Sequence, residues 1–113
     1  MVTFKKDMTV SVREQMRGGP GEAVLTALSP ELPAHMRLFS TITLKPGCGI
    51  GYHVHENETE LFCFVSGKGR VQDDDKVIDV AAGDSMSTPS GHGHSVTNTG
   101  DEDLVFVAAI VKD

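Results

Sequence analysis

Four residues of this chain are of the types that bind metal ions, at offsets that a β-structure would gather: His53, His55, Glu60 and His94. Neutral imidazole with a carboxylate is a ligand set suited to Fe, Mn, Ni, Cu or Zn. Residues i and i+2 of a strand point to one face, so His53 and His55 project together while Val54 turns away. The polar run Glu56-Asn57-Glu58-Thr59 suits a solvated turn. The chain then returns through Glu60-Leu61-Phe62-Cys63-Phe64-Val65, rich in strand formers. Glu60 opens this returning strand opposite the histidine pair. His94 starts a later segment, His94 to Asn98, after the turn signal Pro89-Ser90-Gly91. Closure of a barrel would bring these three strands to one point.

Turn residues punctuate the chain about every eight to twelve positions, the spacing of a sandwich or barrel. Strands are expected at Met36–Leu44 and near residues 51–55, 60–66, 69–73, 76–80, 85–88, 94–98 and 104–111. No run of ten or more residues has a clear 3.6 period, so little helix is expected. Residues 1–35 read as an N-terminal arm with short strands near Thr9–Val12 and Ala23–Leu28, and residues 36–113 as a single barrel domain. Alternation along the later strands turns Phe62, Phe64 and Met86 inward, to line the site. Cys63 sits where a small buried residue fits.

The glycines and prolines around the four ligand-type residues form two motifs. One is Gly47-x5-His53-x-His55-x4-Glu60-x6-Gly67, the other Gly83-x5-Pro89-x-Gly91-x2-His94-x3-Asn98. Both resemble the two motifs of the cupin superfamily, and the 15-residue spacer Lys68–Ala82 is similar to that of small single-domain bacterial cupins. The resemblance implies an all-β fold, a double-stranded β-helix or jelly-roll barrel, with His53, His55, Glu60 and His94 as metal ligands. It implies one divalent transition metal per chain, Mn or Fe favoured, with Zn, Ni or Cu as alternatives. His92 falls where the motif is open and reads as a loop histidine; His35 matches nothing.

The 113 residues suit one domain. The net charge of −6 argues against nucleic acid, which needs a basic face. The first seven residues have no long apolar run to act as a signal peptide, and the longest apolar run, Leu104–Val111, is too short for a membrane span. A cytoplasmic protein with Cys48 and Cys63 as free thiols is expected. Asp73-Asp74-Asp75 lacks the glycine and terminal glutamate of a calcium loop and reads as a hairpin turn. Leu104–Val111 is apolar on both faces, which predicts a homodimer in which a neighbour's arm covers the outer face.

Two functional classes remain open. One is a metal-dependent enzyme, a decarboxylase, dioxygenase or isomerase, acting on a small oxygen-rich compound such as a carboxylate, diketone or sugar derivative. The other is a non-catalytic module that binds or senses a small anion. No residue is assigned as general acid or base.

Overall fold

The computed structural model describes residues 1–113. Its strands are β1 (Val10–Glu14), β2 (Glu22–Ala27), β3 (Met36–Leu44), β4 (Gly49–Val54), β5 (Glu58–Ser66), β6 (Lys68–Asp73), β7 (Lys76–Ala81), β8 (Ser85–Thr88), β9 (Gly93–Asn98) and β10 (Leu104–Lys112). Helix is confined to two 3-10 turns, Lys5–Asp7 and Met16–Gly18. All pairings are antiparallel. They make a six-stranded sheet, β1-β2-β3-β10-β5-β8, and a four-stranded one, β4-β9-β6-β7. This is the all-β jelly-roll barrel that the sequence implied. No helix is long and apolar enough to cross a membrane.

Period-2 patterning explains the packing. In β10, Leu104, Phe106, Ala108 and Ile110 are buried, while Val105, Val107 and Ala109 are only half-buried. Ile42 and Leu44 of β3, Phe62 and Phe64 of β5, and Val96 of β9 complete the facing layers. Each large side chain so buried stabilises the fold by roughly 1.5–3 kcal/mol. Asn98, at the end of β9, is a buried tie. Its Nδ2 donates to the carbonyls of Leu44 and Glu102, each at 2.8 Å, and its Oδ1 accepts from Gly100 N at 2.8 Å.

Three β-bulges break the strict alternation. On β4, Ile50 pairs with Val96 and His53 with His94, so three steps oppose two. On β3, Leu38 pairs with Ile110 and Met36 with Val111, leaving Arg37 unpaired. On β5, Val65 is passed over between the Ser66 and Phe64 pairings. Bulges re-aim side chains, and the first two act on the site described below.

Within residues 1–35, β1 and β2 continue the six-stranded sheet beyond β3. β2 pairs with β3 from Ala23 opposite Leu44 to Ala27 opposite Ser40, and Ala23 and Leu25 belong to the core. The segment Leu28–His35 is long enough to reverse the chain at small entropic cost, so these strands extend the sheet of their own chain. They lie beside β3 and leave the outer face of β10 uncovered. Cys63, expected inside, is exposed, because the period of 2 that buries Phe62 and Phe64 turns it outward.

Candidate metal centre

His53, His55, Glu60 and His94 meet inside the barrel, with one ligand atom from each lying within 4.8 Å of all the others. The bulge at Gly51-Tyr52 makes this possible. Without the extra residue, Ile50 and His53 would face opposite sides of β4; with it, Ile50 packs into the core and His53 enters the cavity. His55 follows the end of β4, Glu60 is an inward residue of β5, and His94 is an inward residue of β9 paired to His53. Phe62, next inward after Glu60, stacks on the His94 ring at 4.9 Å and 18°.

The rings are fixed from behind. Nδ1–H of His53 donates to the Gly51 carbonyl at 2.8 Å, and Nδ1–H of His55 donates to Glu58 Oε2 at 2.6 Å. Nδ1 of His94 lies 2.7 Å from Thr88 Oγ1. With Nδ1 engaged on each ring, Nε2 faces the common point. Nε2 of His94 is 3.1 Å from that of His55 and 3.2 Å from that of His53. Glu60 Oε1 is 2.9 Å from Nε2 of both His55 and His94. Two ring lone pairs, a third ring nitrogen and a carboxylate directed at one point are what a divalent ion satisfies, and partners on the far ring nitrogen are usual for metal-ligating histidines. Burial, opposed in part by the Gly51 hydrogen bond, holds the His53 imidazole below its ordinary pKa, with the neighbouring His94, His55 and Arg17 adding to the lowering. The ring is therefore kept in the neutral form that binds metal.

Glu58 was expected in a solvated turn and is instead buried. β5 begins two residues earlier than Glu60, and the alternation that turns Glu60, Phe62 and Phe64 inward turns Glu58 inward as well. Opposite it stands Arg37, aimed by the β3 bulge. Arg37 Nε and Nη2 donate to the two Glu58 oxygens at 2.6 and 2.7 Å. The Arg37 hydrogen bond, with a smaller share from His55, draws the Glu58 carboxyl down to a pKa of about 2. The continuous alternation from Glu58 to Phe64 was the signal that could have located it.

Around the cluster is a cavity of about 610 Å³. Phe62 lines it as expected, but Phe64 lies deeper among Phe62 and Phe106, and Met86 packs on the core. The other wall is the strap from Val12 to Arg17. His92 and the acidic turn lie outside. His92 Nδ1 is 2.5 Å from Asp74 Oδ2, and Asp74 Oδ1 accepts from Gly93 N at 2.9 Å, pinning the β6–β7 turn to the start of β9.

A double-sheet barrel with three histidines and a glutamate turned into it defines the cupin class, and residues 40–110 match the model of the cupin domain. The chain belongs to this family. It is 38% identical to the oxalate-binding protein of Thermotoga maritima, over 98% of this chain and 93% of that one. It is 36% identical to the oxalate decarboxylase of Bacillus subtilis, over 64% of this chain but only 20% of the decarboxylase. Among solved structures, the crystal structure of a predicted oxalate decarboxylase from Thermotoga maritima superposes with a TM-score of 0.93 at 36% identity, covering 100% of both chains.

Proposed function

We propose that His53, His55, Glu60 and His94 hold one divalent transition metal and that the cavity beside them takes a small chelating anion, with oxalate as the archetype. The observation that carries this reading is the shared arrangement of the three rings, each with Nδ1 engaged and Nε2 turned to the point they share with Glu60. The relatives named for oxalate support it. The imidazole and carboxylate donor set suits Mn or Fe, with Zn, Ni or Cu as alternatives. When bound, such an ion polarises a ligand oxygen as a Lewis acid.

The chain's own residues supply the rest. Glu60 and the histidines orient the ion, Phe62 walls off one side, and Arg37 with Glu58 steadies His55. The carboxyls lining the cavity are Glu14 and Glu60. Glu58 is committed as an anion to Arg37 and is no proton donor. That commitment favours anion binding or sensing as the second reading beside a metal-dependent decarboxylase or dioxygenase. The test has two parts. Elemental analysis of protein purified without added metal, followed by calorimetry, should show oxalate binding to metal-loaded and not to metal-free protein. Turnover of oxalate or a diketone by the Mn- or Fe-loaded form separates enzyme from binder.

The protein is further proposed to be a cytoplasmic homodimer. Its two free cysteines fit a reducing compartment. The outer face of the six-stranded sheet carries a cross-strand row, Phe39–Ala109–Leu61, with Val65 and Val111 nearby, all apolar and partly exposed. A second copy laid on this face would bury it.

A further inference from the structure

The strap at residues 12–17 is held in place and carries unpaired positive charge. Gln15 and Arg17 both lie in the left-handed region, at φ 47° and 54°, which is costly for residues with a side chain. Their conformation is imposed by backbone contact between glycines. A Cβ built on Gly51 would collide with the Arg17 carbonyl, and one on Gly19 with the Gly49 carbonyl. Pro20 O accepts from Gly49 N at 2.9 Å, and Gly21 O accepts from Gln15 N at 2.8 Å. The strap is thus clamped onto β4 next to Gly51, the residue whose carbonyl orients His53.

Arg13, Arg17 and Arg37 all line the cavity, with Glu14 between the first two. Arg37 is neutralised by Glu58. Arg13 and Arg17 form no salt bridge; those present join Lys6 to Asp7, Arg37 to Glu58, Arg70 to Asp79, and histidines to carboxylates. A divalent ion on Glu60 leaves a charge of +1. Arg13, Glu14 and Arg17 together add +1, so the cavity carries +2 toward its contents. A dianion compensates that charge; a monocarboxylate or neutral diketone leaves part of it uncompensated.

We propose that Arg17 is a specificity-determining residue that engages the ligand oxygens turned away from the metal ligands, so that the site selects small dicarboxylate dianions over monocarboxylates and diketones. This rests on the reading that the four-residue cluster holds a divalent ion. Arg17 suits the role because the clamp fixes its backbone over the mouth and no acidic side chain occupies its guanidinium.

The test is calorimetry on Mn-loaded protein with oxalate, acetate and acetylacetone, for the natural chain, Arg17→Gln, Arg17→Lys and Arg17→Gly, with metal content measured on each. Glycine relaxes the left-handed backbone while removing the guanidinium, so a loss seen with both Gln and Gly is not a folding defect. Expected is a fall of about tenfold in oxalate affinity for Gln and Gly, with acetate and acetylacetone changed less than about threefold, partial recovery with Lys, and one Mn per chain throughout. An unchanged oxalate-to-acetate ratio at full metal content would overturn the proposal and leave the metal site standing. Failure of the Mn-loaded natural protein to bind oxalate would remove the Arg17 proposal together with the oxalate reading.

Discussion

Nδ1 of His55 lies 2.6 Å from Glu58 Oε2, and the same carboxylate takes two hydrogen bonds from Arg37. A metal-ligand candidate is thus oriented by an ion pair joining β3 to β5. Glu58→Gln is expected to lower metal affinity about 10- to 100-fold, the usual effect of removing a partner behind a ligating histidine. Competition of the purified variant with a chromophoric chelator measures it. An affinity equal to that of the natural chain would show that His55 needs no such support.

The same pair gives a signed pH dependence. The Arg37 hydrogen bond draws the Glu58 carboxyl down to about 2 in the fold, from an ordinary value near 4.5. The folded state therefore binds fewer protons than the unfolded chain between these values. Its stabilisation is present above about pH 4.5 and is lost as pH falls toward 2. Denaturant midpoints of metal-free protein should fall across that window, and Glu58→Gln should flatten the fall. Parallel curves for the two proteins would count against it.

Metal retention should fall in more acidic solution. The reference imidazole pKa is about 6.5, and burial lowers that of His53. The depressed group opposes protonation in the fold, so the neutral ring persists somewhat below the reference value before protons compete with metal. Release is expected below about pH 6. Dialysis at graded pH with metal analysis checks this; full retention at pH 4 would contradict it.

His94→Ala removes the candidate ligand that neighbours both His53 and Glu60. Metal content should drop from one ion per chain toward zero. The melting temperature, raised by metal in the natural protein through linkage, should no longer respond to a chelator. A variant that still binds one ion and still responds would refute the assignment.

Gly51→Ala tests the clamp on the strap. The new Cβ would strike the Arg17 carbonyl, a backbone atom that cannot swing aside. A loss of more than about 1 kcal/mol in stability is expected, together with easier proteolysis within residues 12–19. Unchanged stability and protease resistance would mean that the strap is not held by this contact.

The homodimer is tested by light scattering at micromolar concentration and by Leu61→Glu. That residue is exposed on the outer face and opposes Ala109, so a charge there should yield monomer without loss of fold. A natural chain that is already monomeric would reject the dimer.

The sequence by itself determined the barrel and the four converging side chains. A period of 2 is local and turn residues mark where it must restart, so His53 with His55, Glu60 and His94 could be read as facing one point; the bulge at Gly51-Tyr52, which turns His53 inward while Ile50 packs into the core, could not. The Mn or Fe preference and the oxalate reading drew on family resemblance. Only the tertiary structure decided what surrounds the four. Arg37 enters the cavity because a bulge inserts one residue opposite β10, and a single inserted residue reverses the face of a side chain. Whether a bulge forms depends on the register of two strands far apart in sequence, which no local pattern encodes. Glu58 lay inside the readable alternation of β5, but its polar neighbours hid the strand's true start. The strap over the mouth depends on Gly19, Gly49 and Gly51 meeting backbone to backbone. Each reads as an ordinary turn or strand glycine until the fold sets them against one another.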